Sequence, residues 1–309
     1  MQRNSRIFIV GHNDSVENSL VNYFSTRSFK VFSNNKDRID VLNQAQTLKF
    51  FKRARPQYVF LGSVRSGGIA ANQKFPAEFI YENLQAQNNV IHAAYLNGAK
   101  KLLYFGSSCF YPREDRKAIS EQSLMAAPVE QTSEAYAVAK IAGVKLCQAY
   151  RRQYGFNAVA AVPATLYGPG SDDDLQNAHV MGALMAKFYQ SVQEGRREVV
   201  VWGSGKPRRE FLYVDDFARA CVFLMDKDIK EDLINIGVGI DISIKELAQG
   251  IAKISGFKGK IIFDRSKPDG AMRKLLDGWR LSKLGWKPQI GLEEGIKRTF
   301  NWYRHTSGK

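Results

Sequence analysis

Short apolar runs alternate with longer mixed stretches along the first half of the chain. Arg6–Val10, Phe29–Ser33, Gln57–Gly62, Lys101–Gly106 and Phe156–Val162 are compact, apolar and bounded by turn residues, which predicts buried strands. The stretches between them carry apolar residues at helical spacing. One follows the first strand to about Ser28. One runs from about Pro76 to Asn97 with Phe79, Ile80, Leu84, Val90 and Ile91, and one runs from Tyr136 to about Tyr154. Strand and helix in alternation predict a doubly wound parallel sheet, the α/β Rossmann architecture. After Pro163 the rhythm changes. Short apolar segments occur near Val199–Trp202, Glu210–Tyr213 and Ile261–Phe263, and Val214-Asp215-Asp216 opens a helix. Asn235-Ile236-Gly237 reads as a segment returning to the sheet, and a helix over 291–304 ends the fold. These later segments suggest a smaller C-terminal lobe.

With 309 residues, 44% of them hydrophobic, the chain can bury a large core as one big domain or two lobes. No apolar run reaches the length that spans a bilayer, and Met1–Ser5 leads into a strand without a signal-peptide pattern. Cys109, Cys147 and Cys221 show neither metal-ligand spacing nor an even-numbered framework, so the chain reads as cytoplasmic. The net charge of +15 comes from 45 basic and 30 acidic residues spread along the chain. Without a basic block or a nucleic-acid-binding signature, that charge suits small polyanionic ligands, not nucleic acid or a membrane.

Two motifs carry chemistry. Tyr136 and Lys140 lie four residues apart, one helical turn, so the ammonium can favour the phenolate. Such a phenol can pass a proton to or from a sugar oxygen during hydride transfer. Ser107 and Ser108, at the end of the fourth strand, can hydrogen-bond the same oxygen. Alone, Tyr-x-x-x-Lys also fits an ordinary surface helix.

The first strand ends at Gly11. A dinucleotide fold wants further glycines near 14 and 17, so that pyrophosphate can approach the helix N-terminus. This chain has Asp14 and Glu17 there. They form an Asp-x-x-Glu variant of the capping box, and both would repel phosphate. The loop is either drifted and weakly binding or a lost cofactor site. Lys36 or Arg38, past the second strand, could meet a 2′-phosphate, and either could equally be a solvated loop cation.

Phrases throughout the chain carry a resemblance. They are Ser66–Asn72, Gly106–Pro112, Tyr136–Gly143, Leu166–Pro169, Val201–Gly205 and Ser266–Gly270. With them the chain resembles the extended short-chain dehydrogenase/reductase family, and within it the GDP-L-fucose synthases. Those are NADPH-dependent 3,5-epimerase/4-reductases of GDP-4-keto-6-deoxymannose. The resemblance implies a dinucleotide-binding domain over 1–165, with returning segments near 210–240, and a mainly substrate-binding lobe over 166–309. It assigns catalytic roles to Ser107, Tyr136, Lys140, Cys109 and His179, the last two as the acid–base pair at C3 and C5. It places NADP(H) against Gly11, Lys36, Asp40 and Lys140, bound weakly if the altered loop impairs it. It places a GDP-sugar against Lys187, Trp202, Arg209 and Lys267. Lys187 stands for the family's arginine, Thr165 for its common asparagine, and Ser171–Asp174 make a more acidic loop. Family precedent implies a homodimer through two long helices. Two other functions stay open: a redox-silent 3- and/or 5-epimerase of a GDP-keto-sugar, and a non-catalytic nucleotide-sugar-binding paralogue. The Ser-Tyr-Lys set argues against the paralogue.

Overall fold

The computed structural model describes residues 1–12, 15–113, 117–170 and 180–306. The first half contains β1 (Arg6–Val10), α1 (Ser15–Ser25), β2 (Lys30–Ser33), α2 (Gln44–Ala54) and β3 (Tyr58–Leu61). It continues with α3 (Ile69–Lys74), α4 (Pro76–Leu96), β4 (Lys101–Phe105), α5 (Glu134–Tyr154) and β5 (Ala158–Pro163). The second half contains β6 (Thr165–Tyr167), α6 (Val180–Gln193), β7 (Glu198–Trp202), β8 (Arg208–Tyr213), α7 (Val214–Asp226) and β9 (Leu233–Ile236). It ends with β10 (Asp241–Ser243), α8 (Ile244–Ser255), β11 (Lys260–Asp264), β12 (Arg273–Lys274), α9 (Trp279–Lys283) and α10 (Leu292–Thr306).

Six strands form one parallel sheet in the order β2-β1-β3-β4-β5-β9. Helices cover both faces, so β1, β3, β4 and β5 are buried almost end to end, which is why their sequences are apolar runs without alternation. Helix α1 packs on α7, and α2 packs on α4, which packs on α5. Phenylalanines fill the left of the sheet, with Phe8 against Phe50 and Phe51, and Phe60 between Phe24 and Phe105. Cys147 and Cys221 are fully buried packing residues. The chain leaves β1 toward β2, then crosses back to β3. The crevice at that reversal, beyond the carboxyl ends of β1 and β3, is where ligands of such sheets bind.

The remaining strands make a sheet of β10, β8, β12 and β6 and a parallel pair, β7 with β11. A second hydrophobic cluster lies under them, including Tyr167, Met181, Phe188, Val201, Leu247 and Ile296. Two buried carboxylates fasten these parts to the rest. Glu210 on β8 is 1% exposed and accepts the backbone N–H groups of Val238, Gly239 and Leu276, at 2.6, 2.8 and 2.8 Å. Asp216 on α7 accepts those of Gln289 and Ile290 and pairs with Arg219. Each carboxylate satisfies several donors at once, which offsets the cost of burying its charge.

Helices α2 and α8 lie where the sequence pattern above assigns none. Both are capped locally. The Asn43 side chain accepts the Gln46 N–H, and Ser243 with Glu246 forms a complete capping box. Among the described residues, no helix is long and apolar enough to cross a membrane.

Candidate active site

Parallel pairing sets the site. Leu61 of β3 lies beside Tyr104 of β4, so the segments leaving both strands emerge side by side at one sheet edge. Ser107 begins a short 3-10 turn, Ser108–Phe110, and its side chain accepts the Cys109 N–H at 3.4 Å. Helix α5 then lays Tyr136 and Lys140 against this edge, and it ends at left-handed Gly155, whose N–H donates to the Arg151 carbonyl at 3.1 Å.

The Tyr136 hydroxyl shares a 2.8 Å hydrogen bond with the Ser63 hydroxyl, just past β3. Its ring meets Phe79 of α4 edge-on, with centroids 6.1 Å apart. Lys140 is 1% exposed, and its Nζ lies 4.1 Å from the centre of the Tyr104 ring. The Tyr104 hydroxyl donates to Gln87 at 2.7 Å, and Gln87 donates to the Ala139 carbonyl at 2.9 Å. Gly143 makes this possible, since a Cβ there would overlap the Tyr104 hydroxyl. Burial pushes Lys140 from the ordinary 10.5 down to about 7, opposed by the Cys109 and Cys147 thiols. The fixed positive charge expected from the sequence is therefore weakened by its own surroundings.

Burial likewise raises the Cys109 thiol, opposed by the Lys274 charge, the Ser107 hydrogen bond and Lys140. Lys274 lies on β12 in register with Arg209, and burial lowers its own pKa. The sequence gives neither Ser63 nor Lys274 a catalytic role, although Ser63 opens the loop that leaves β3 at the sheet's ligand-binding edge. Each lies close to a phrase singled out above, Ser63 just before Ser66–Asn72 and Lys274 just beyond Ser266–Gly270. His179 lies outside the described residues, with Ser171–Asp174 and Ala178.

At the first strand end, Gly11 exchanges hydrogen bonds with Asn34, N–H to Oδ1 at 2.9 Å and Nδ2 to carbonyl at 3.2 Å. Glu17 is 4% exposed, and its carboxylate accepts from the Ser33 hydroxyl and the Asn35 amide. A Cβ on Gly11 would come within 3.0 Å of it. Glu17 thus reaches across to the end of β2, beyond the local capping expected from the sequence. Its expected partner in capping, Asp14, lies outside the described residues. Lys36 is exposed, and Asp40, also exposed, accepts the Leu42 N–H at 3.0 Å.

A second group surrounds Trp202, which is 66% exposed at the end of β7. Lys187 and Lys267 lie 5.3 and 5.6 Å from its ring centre. Lys187 also donates to the Val200 carbonyl at 3.0 Å, and burial lowers its pKa. Arg209 is held by the carbonyls of Arg208 and Ala271, at 2.8 and 2.7 Å. Asp269 receives the Ser204 N–H and hydroxyl at 2.8 and 2.6 Å. The pairing of Arg209 with Lys274 links this cationic, aromatic group to the thiol and hydroxyls of the first.

Comparison with known proteins accords with this fold. The profile of the "NAD dependent epimerase/dehydratase family" matches residues 7–237. The chain is 45% identical over 302 residues to GDP-L-fucose synthase 1 of Arabidopsis thaliana, covering 97% of this chain and 94% of that one. It is 42% identical over 308 residues to the GDP-L-fucose synthase of Escherichia coli (strain K12), covering 96% of each. Among solved structures it superposes on a GDP-6-OMe-4-keto-L-xylo-heptose reductase from C. jejuni with a TM-score of 0.90, at 37% identity over 99% of both chains. A Naegleria fowleri GDP-L-fucose synthetase bound to NADP gives a TM-score of 0.90 at 26% identity, covering 100% of this chain and 97% of that one. A profile match over most of the chain, and relatives this similar along nearly its whole length, establish that the protein belongs to the NAD dependent epimerase/dehydratase family.

Proposed function

We propose that the protein is an NADP(H)-dependent epimerase/reductase of a GDP-4-keto-(6-deoxy)-sugar. The observation that carries this is the convergence of Tyr136, Lys140, Ser107 and Cys109 at one sheet edge, joined through Lys274 and Arg209 to the group around Trp202. The relatives named above act, by their names, on GDP-sugars, and one solved neighbour holds NADP.

Hydrogens on C3 and C5 of a 4-keto sugar are acidic because the carbanion delocalises onto the C4 oxygen. Cys109 and His179 are the proposed acid–base pair on opposite faces of the ring. Burial keeps Cys109 a thiol at rest, suited to delivering a proton, and Lys274 offsets the charge of the thiolate left behind. Ser107 and Tyr136 hold the C4 oxygen, first as enolate and then as the alkoxide that Tyr136 protonates. Lys187, Arg209 and Lys267 face the diphosphate, and Trp202 offers a ring for the base to stack on.

The residues fit NADP(H). Lys140 is buried against an aromatic face with thiols as its favourable neighbours, so the hydroxyls of a ribose suit its donors. Gly11 ends β1 at the switch point, and Lys36 stands exposed past β2 for a 2′-phosphate, with Asp40 toward the adenine. When bound, NADPH supplies a hydride to C4. A homodimer in the cytoplasm completes the proposal. Exposed Tyr81 and Leu96 on α4 and Val138 and Tyr154 on α5 give it an apolar surface.

Glu17 favours a second reading, a redox-silent epimerase, because its carboxylate occupies the strand end that a phosphate-bearing cofactor approaches. The deciding experiment supplies a GDP-4-keto-6-deoxy sugar and follows NADPH oxidation and the product's configuration. Stoichiometric NADPH loss with an epimerised, reduced sugar supports the proposal. Isomerisation without NADPH loss selects the second reading, and the absence of both reactions removes the enzyme assignment.

A further inference from the structure

Ser63 sits just beyond β3, the strand beside β4, and its hydroxyl is 2.8 Å from that of Tyr136, seventy-three residues away. Resting on the reading of Tyr136 as proton donor, we infer that Ser63 is a positioning residue for that step, holding the phenol's rotamer and donating its O–H to the Tyr136 oxygen as that oxygen loses its proton. The step balances simply. The C4 oxygen takes the Tyr136 proton, the O–H bond of the tyrosine breaks, and the electron pair stays on the phenolate. Ser63 keeps its own proton and turns it toward that charge. A hydroxyl next to a forming anion makes a stronger, charge-assisted bond than it makes to the neutral phenol, so its effect is largest where the barrier lies.

The groups around Tyr136 make this bond consequential. From its own helix comes Lys140, whose charge burial weakens. From β4 comes Tyr104, a phenol that burial keeps neutral, and from the following turn comes Cys109, a thiol raised by burial and backed by Lys274. Helix α4 contributes the uncharged edge of Phe79, behind which Arg65 lies 5.8 Å from the ring centre. With the lysine's charge reduced, a neutral donor at 2.8 Å supplies stabilisation that a full ammonium would otherwise provide.

The test compares wild type with Ser63→Ala, Ser63→Thr and Tyr136→Phe in NADPH-dependent reduction of a GDP-4-keto-6-deoxy sugar across pH. Reduction needs protonated Tyr136, so activity falls as pH rises through the phenol's pKa. Without Ser63 the phenolate is less stable, so in Ser63→Ala that alkaline limb should move to higher pH by roughly half a unit or more. Its plateau kcat should fall about tenfold, with KM for both ligands unchanged. Ser63→Thr restores the hydroxyl and should restore both. If Ser63→Ala keeps the wild-type limb and plateau, or alters KM alone, while Tyr136→Phe is inactive, the role of Ser63 is overturned and that of Tyr136 stands. If Tyr136→Phe retains wild-type kcat, the proton-donor reading fails and the role of Ser63 falls with it.

Discussion

Lys140 places its ammonium nitrogen 4.1 Å from the centre of the Tyr104 ring, over an aromatic face and away from any bulk water. The ring is fixed by Gln87, and Gln87 by the backbone of Lys140's own helix, so the lysine's environment is built to be dry and rigid. Its pKa of about 7 follows from that burial. The folded protein therefore binds fewer protons than the unfolded chain between about 7 and the ordinary 10.5, and stability should rise with pH across that window. Buried Lys101, lowered to about 8, adds a slope of the same sign at the upper end. Each unit of such a shift corresponds to about 1.4 kcal/mol. Lys140→Met should flatten the rise. Thermal unfolding of both proteins from pH 6.5 to 9 checks this, and identical rises in Tm would remove Lys140 as its source.

Cys109 and Ser107 share the turn after β4, which separates two kinds of chemistry in one site. Cys109→Ser should slow exchange of the C3 and C5 hydrogens with deuterated solvent by about a hundredfold, even without NADPH. Reduction at C4, which uses Tyr136, should persist and yield an unepimerised sugar. Mass spectrometry of the recovered sugar and NMR of the product read both effects. Wild-type exchange in Cys109→Ser would take the residue out of the epimerisation step.

Glu17 carries a negative charge at the end of β2, where the sequence leaves Lys36 as an exposed cation for phosphate. Glu17→Gln keeps the shape under Gly11 and removes the charge. NADPH should then bind about tenfold tighter, equivalent to about 1.4 kcal/mol. The gap should widen at low salt, where phosphate repulsion is less screened. Calorimetric dissociation constants at two salt concentrations decide it. Equal affinities for the folded variant and the wild type at both would show that this carboxylate does not limit cofactor binding.

The sequence by itself determined the elements whose information is local. Strands β1, β3, β4 and β5 were legible because a sheet covered on both faces needs unbroken apolar runs. Tyr136 and Lys140 were legible because four residues is one helical turn. Helices α2 and α8 were equally local, announced by Asn43 and by Ser243 with Glu246, and the apolar pattern alone passed them over. Tertiary structure decided the rest. It brought Ser63 to Tyr136, turned Glu17 toward Ser33 and Asn35, set Lys274 near Cys109, and inserted β9 beside β5. It also set the lysine's charge, since burial against Tyr104 arises only when α5 packs on β4. No periodicity encodes these contacts. They depend on the order in which parallel strands assemble, because that order chooses which distant loops emerge side by side at the sheet's carboxyl edge.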